Sequence, residues 1–136
     1  MSMINIHDIP GEHRVQIGTP IVASSAATNY IAVLTVPFAC TVTGIDFVCT
    51  DAVTGANTNT VHLNVDNSAG TEIANIDLVS GTDLTAGTAS ALTLTSTSAN
   101  LDLAAGATLR LEAEEIGTGL GAAIAEGVLV VKFRAN

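Results

Sequence analysis

Apolar and polar residues alternate with a period of two from about residue 13 to residue 134, in short runs separated by turn-rich breaks. That period sends successive side chains to opposite faces of an extended chain, so the runs read as half-buried β-strands. Residues 58–66 are the clearest case, with Val61, Leu63 and Val65 directed inward and Thr60, His62 and Asn64 outward. Residues 107–115 repeat it, with Leu109, Leu111 and Ala113 inward and Arg110, Glu112 and Glu114 outward. Further strands are read at residues 13–18, 30–36, 40–50, 71–79, 91–95 and 127–134. Val128 to Val131 are apolar on both faces, which marks a central strand. Gly44 marks a bulge, and Asn67-Ser68-Ala69-Gly70 has the composition of a hairpin turn. Pro20 interrupts the first strand, and Ile21-Val22-Ala23 continues that edge. Residues 101–106 read as a tight corner between sheets.

No stretch of helical period is long enough to compete. About eight short, evenly spaced strands predict an all-β, single-domain antiparallel β-sandwich, jelly-roll-like. Residues 1–12 differ in composition and read as an N-terminal arm hinged at Pro10-Gly11. Residues 13–136 form the β-sandwich domain.

Charge narrows the partners. Four Lys and Arg stand against thirteen Asp and Glu, for a net charge of −9. Binding nucleic acid requires a basic face, so no nucleic-acid partner is expected. Aromatics make up 3% of the chain and Trp is absent, which leaves no base-stacking platform. No run approaches the roughly 18 apolar residues of a membrane span, and no membrane partner is expected. The first residues carry no basic and apolar leader pattern, so synthesis in the host cytoplasm is expected. Cys40 and Cys49 sit among apolar and β-branched residues and read as buried, reduced thiols. A bridge between them would need a turn near Gly44.

Candidate chemistry is sparse. His7-Asp8 and Glu12-His13 carry metal-ligand chemistry, but Pro10-Gly11 separates them and no helix aligns them, so they read as solvated arm residues. His62 lacks the His-x-His partner of a cupin metal site and reads as a strand-surface residue. Glu112 with Glu114-Glu115 could pair as glycosidic carboxylates, yet sugar-stacking aromatics are nearly absent. They read as a solvated face or a partner for Arg110, Lys132 or Arg134. The oxygen-rich run from Asp66 to Glu72 lacks the spacing of a calcium loop. Gly117-Thr118-Gly119-Leu120-Gly121 follows a strand but opens no helix, so it is no phosphate cradle. Thr-x-Thr pairs, as at Thr41 and Thr43, suit an ordinary exposed sheet face. The expectation is a protein that is not an enzyme, with no metal and no cofactor.

Several stretches taken in order resemble small virion proteins of tailed phages. They are Leu34-Thr35-Val36-Pro37-Phe38-Ala39-Cys40-Thr41-Val42-Thr43-Gly44; Asn59-Thr60-Val61-His62-Leu63-Asn64-Val65-Asp66-Asn67 with Gly70-Thr71; Ala99-Asn100-Leu101-Asp102-Leu103-Ala104-Ala105-Gly106; Gly117-Thr118-Gly119; and Gly127-Val128-Leu129-Val130-Val131. The resemblance covers roughly residues 30–132 and is one of pattern and order. It implies a capsid decoration (cement) or head accessory protein on the outer capsid surface of a virion. It implies the major capsid protein as partner and self-association as a homotrimer. By the same analogy residues 1–18 reach the shell or a neighbour, through Ile4, Ile6, His7, Ile9 and Arg14. The competing class is a carbohydrate- or host-surface-binding β module of a virion fibre or tail, which an exposed polar cleft bearing Tyr30 would favour.

Overall fold

The computed structural model describes residues 10–22, 29–120 and 123–136. Ten strands run through them: β1 (His13–Thr19), β2 (Asn29–Thr35), β3 (Cys40–Cys49), β4 (Thr60–Asn67), β5 (Glu72–Asp77), β6 (Ser90–Ala91), β7 (Thr93–Leu94), β8 (Asp102–Leu103), β9 (Thr108–Ile116) and β10 (Gly127–Ala135). Sheet I has the order β1-β10-β3-β6, with β8 also on β3; sheet II has the order β2-β9-β4-β5-β7. Every pairing is antiparallel. The chain lays down β1, β2, β3 and β4 in alternating sheets. It then returns to insert β9 between β2 and β4, and β10 between β1 and β3. That interleaving of early and late strands is the jelly roll.

The alternation puts the core where the sequence placed it. Leu63, Val65, Leu109, Leu111 and Ala113 of sheet II are buried against Ile45, Phe47, Leu129, Val131 and Phe133 of sheet I. β10 lies between β1 and β3, so the apolar run at Val128 to Val131 is central as expected. The ladder between β10 and β3 shifts register between Lys132 and Phe133, leaving Thr43 as the extra residue beside Gly44. The Asn67 turn closes the β4–β5 hairpin: Asn67 Oδ1 accepts from the Ala69 and Thr71 amides, at 3.0 and 3.1 Å. Gly70 supplies the positive φ of +77° that this turn requires.

Three expectations change. The strand read at residues 91–95 is split, because Ser90–Ala91 pairs with β3 while Thr93–Leu94 pairs with β5. The chain steps between sheets at Leu92, whose side chain is buried. The corner read at residues 101–106 is present, because the chain passes there from sheet I to sheet II, and it also holds β8, a two-residue strand with Leu103 buried and Asp102 exposed. The structure therefore has seven strands of six or more residues and three of two, in place of about eight. Ile21-Val22-Ala23 does not extend β1: Val22 makes an isolated bridge to Ile124, and Ala23 lies outside the described residues. Cys40 and Cys49 are free and buried. They end the same ten-residue strand, which sets them about 30 Å apart at roughly 3.3 Å per residue and rules out a bridge within the chain.

Candidate functional site

Chemistry gathers on the outer face of sheet II. Period-2 geometry puts Thr60, His62, Asn64 and Asp66 of β4 on that face. Their register partners on β9 are Ile116, Glu114, Glu112 and Arg110. On the other flank, β5 sets Asp77 opposite His62, Asn75 opposite Asn64 and Glu72 opposite Asp66. β2 adds Tyr30 opposite Glu112 and Val33 opposite Arg110.

The face is less solvated than its polarity suggests. Thr60, Asn64, Asp66 and Glu112 face outward, yet are only 2%, 6%, 5% and 8% exposed. This corrects the reading of Thr60 and Asn64 as solvent-facing. Long side chains of neighbouring strands lie over the short ones, and hydrogen bonds hold most of the buried polar groups. Thr60 Oγ1 donates to the Leu78 carbonyl at 2.5 Å. Asn64 Nδ2 donates to Glu112 Oε2 at 3.1 Å.

His62 is the hub of the β5 side. Its Nδ1 lies 2.5 Å from Asp77 Oδ1 and its Nε2 lies 3.0 Å from Glu72 Oε2. Burial works against a charged ring, but hydrogen bonds to Glu72 and Asp77 and their charges outweigh it and raise the pKa. Burial likewise opposes ionisation of Glu72, but hydrogen bonds from His62, Asn75 and Asn64 bring its pKa below the usual value.

Arg110 is the hub of the β2 side. Its guanidinium carbon lies 4.4 Å from the Tyr30 ring centroid, and Nη2 donates to the Asn67 carbonyl at 3.2 Å. Asp66 beside it accepts from the Tyr30 hydroxyl. Burial nevertheless raises the Asp66 pKa, against the pull of Arg110. Two buried atoms of the face, Asn64 Oδ1 and Arg110 Nε, have no hydrogen-bond partner.

The arm contacts Ile4, Ile6, His7 and Ile9 lie outside the described residues, as does most of the arm at residues 1–12. Arg14 is on β1, 68% exposed, with Nη2 3.7 Å from Glu12 Oε1. His13 packs with Phe38 and Phe133, at ring distances of 5.5 and 6.0 Å. It belongs to sheet I and His62 to sheet II, so the structure does not bring these imidazoles to one site. Among the described residues no group of three or more His, Cys, Asp or Glu is arranged to hold a metal ion. Asp66 turns to Tyr30 and Arg110 rather than into the hairpin loop, where Asn67 caps the backbone.

Glu112 and Glu114 were legible as one strand face. Their meeting with Tyr30, Asp66, Glu72 and Asp77 was not. The available signal was the polar alternation of His62, Asn64 and Asp66 beside that of Glu72, Asn75 and Asp77.

No protein-family model matches the chain, and no curated protein is recognisably similar to it. Solved capsid structures of infectious bursal disease virus superpose on it weakly. In the Gx strain the match is 12% identical, with a TM-score of 0.43, over 95% of this chain and 33% of that one. In the VP2 subviral particle it is 13% identical, with a TM-score of 0.40, over 99% of this chain and 37% of that one. This chain thus spans about a third of the length of those chains. At that similarity the superpositions carry no argument about function, and the jelly roll rests on the chain's own strand order.

Proposed function

We propose that this chain is a structural virion protein that decorates and stabilises a phage capsid from the outside, through its N-terminal arm and through contacts between copies. It acts by mass action and not by catalysis: binding the assembled lattice and not its free subunits lowers the free energy of the assembled state. The major capsid protein is its partner, and an acidic chain of net charge −9 suits an outer surface, away from packaged nucleic acid. The strand-and-turn resemblance over residues 30–132 supports this reading.

The observation that carries it is the outer face of sheet II. Three of the four exposed large hydrophobics among the described residues, Tyr30, Val33 and Ile116, lie on that one acidic face. Apolar groups around a hydrogen-bonded polar centre are the chemistry of a contact surface. The test is loading. Purified chain mixed with expanded shells that lack it co-sediments saturably and raises their melting temperature; protein that stays in the supernatant at every concentration overturns the reading.

Tyr30 favours a second reading, a glycan-binding module of a fibre or tail. Its ring is 48% exposed beside Asp66 and Glu112, although Arg110 covers one ring face. Saturable glycan binding that Tyr30→Ala abolishes, with no loading onto shells, would establish that reading instead.

A further inference from the structure

The sandwich is closed along one side and open along the other. On the closed side β6 and β8 border β3, β7 borders β5, and the chain steps from β6 to β7 through the buried Leu92. On the open side lie β1 of sheet I and β2 of sheet II, which contact each other. Among the described residues, β1 forms a ladder with β10 alone and β2 with β9 alone. An edge strand of an antiparallel sheet turns alternate N–H and C=O groups outward, where another strand can pair with them.

The two edges differ. The register of β2 on β9 shifts between Tyr30 and Ala32, leaving Ile31 as an extra residue. Such a bulge twists an edge away from further pairing. β1 keeps its register on β10 over all seven residues, His13 to Thr19. It holds no proline, and Arg14 is its one permanent charge. Its inward residues Val15 and Ile17 pack on the core but are only half-buried. A strand added beside β1 would complete their burial and pair its outward backbone groups.

We propose that β1 of one copy pairs antiparallel with β1 of a second copy about a two-fold axis at Gln16, so that sheet I runs unbroken through a dimer. This deepens the proposed function, on which it rests, by assigning the contact through which copies associate. The occupant follows from the strand's own sequence, because one register pairs all seven residues of β1 with all seven of its twin. It sets Gln16 opposite Gln16, Arg14 opposite Gly18, Val15 opposite Ile17 and His13 opposite Thr19. No like charges meet, the long Arg14 faces a residue without a side chain, and the inward Val15 and Ile17 join the two cores. The same patch serves both copies, so the contact is isologous and stops at two. It gives a dimer where the phage resemblance implies a homotrimer. Strand addition draws its affinity from main-chain hydrogen bonds. An edge about 23 Å long buries less than the roughly 1,200 Å² of a standard interface. The dimer is therefore weak in dilute solution and gains where a shell holds copies close together.

The test uses the fact that Gln16 is its own partner in this register. It is exposed, and its neighbour on β10 is Val130, so no native charge masks a substitution there. Gln16→Lys and Gln16→Glu each set like charges across the axis, whereas an equimolar mixture of the two sets opposite charges there. Sedimentation velocity of the full chain over a concentration series should show a monomer–dimer equilibrium. Each variant alone should dimerise at least about three-fold more weakly than the mixture, and circular dichroism checks that both fold. Mild oxidation gives the register directly. Gln16→Cys should form a disulfide-linked dimer. Gly18→Cys alone should not, because the two copies of that position lie more than about 13 Å apart, beyond the roughly 7 Å reach of a disulfide. Gly18→Cys mixed with Arg14→Cys should cross-link. Cys40 and Cys49 are buried, so the wild type is the unlinked control. A wild type that stays monomeric throughout the series, a trimer, a mixture no stronger than either charge variant, or cross-linking of Gly18→Cys as fast as of Gln16→Cys overturns the proposal. Shell loading is read separately: monomers that still load onto shells overturn this inference alone, whereas a dimer that ignores shells overturns the proposed function alone.

Discussion

His62 Nδ1 lies 2.5 Å from Asp77 Oδ1, across the ladder that joins β4 to β5, while Nε2 of the same ring reaches Glu72. One imidazole thus ties both ends of β5, a strand otherwise held only by β4 and the two-residue β7. A ring whose pKa is higher in the fold than in the unfolded chain holds its proton more tightly in the fold. Its contribution is full below about pH 6.5 and is lost as pH rises through the folded value. Glu72, with a lowered pKa, contributes above about pH 4.5 and loses that contribution as pH falls through its folded value. Asp66, with a raised pKa, opposes Glu72 by favouring the fold at low pH. Stability from urea titrations should therefore peak in mildly acidic solution and decline toward neutrality and above. His62→Gln should cost about 1 kcal/mol near the peak and flatten the decline on the alkaline side. An unchanged alkaline limb in the variant would show that the ring does not titrate in this clasp.

A glycine pair tests how closely neighbouring strands of sheet I are laid. A Cβ on Gly127 would meet the Val48 carbonyl oxygen at 2.1 Å, whereas one on Gly18 finds that of Gly127 at 4.0 Å. Neither residue has a positive φ, so the difference is one of space and not of backbone strain. Gly127→Ala should cost more than about 2 kcal/mol, because rigid backbone must move. Gly18→Ala should be neutral, or stabilising by up to about 0.5 kcal/mol through the unfolded chain. Parallel urea melts of the two variants decide it.

Strands were legible because a β side-chain period of two writes burial directly into the sequence, as Leu109, Leu111 and Ala113 show. Their partners were not, because the ladder that pairs Asp66 with Arg110, or Gln16 with Val130, joins residues far apart in the chain. Two-residue strands such as β6 and β8 are too short to leave a period at all. The burial of Asn64 escaped the sequence for a related reason. It depends on the reach of Glu112 from one neighbouring strand and of Glu72 from the other. The outward set on β9 could be read, but what covers it could not.

The thiols give a simple probe of the core. Burial raises the pKa of Cys40, with Asp102 nearby adding to the effect. Burial likewise raises that of Cys49, whose Sγ also lies 2.9 Å from the Asp51 carbonyl. A buried, protonated thiol is a poor nucleophile. Neither should react with a thiol reagent in native buffer, and both should react in denaturant at a rate set by unfolding. Rapid labelling of the native protein would contradict the closed ends of β3.

Glu112 and Asn64 offer the most direct test of the electrostatics of sheet II. Glu112 is 8% exposed and shares its face with Asp66, Glu72, Asp77 and Glu114. A charge held there gains one hydrogen bond from Asn64 but keeps its carboxylate neighbours. Glu112→Gln preserves the shape, removes one negative charge, and supplies an amide that can donate to the orphaned Asn64 Oδ1. The hydrogen bond from Asn64 Nδ2 weakens, because its acceptor is no longer charged. Relief of repulsion and the new donor act in the opposite sense, and satisfying a buried acceptor is worth about 1–3 kcal/mol. The variant should therefore match or exceed the wild type, by up to about 1 kcal/mol in urea denaturation at neutral pH. A clear loss of stability would mean that the Glu112 charge is needed to order Asn64, and that the acidic face is stable without a partner.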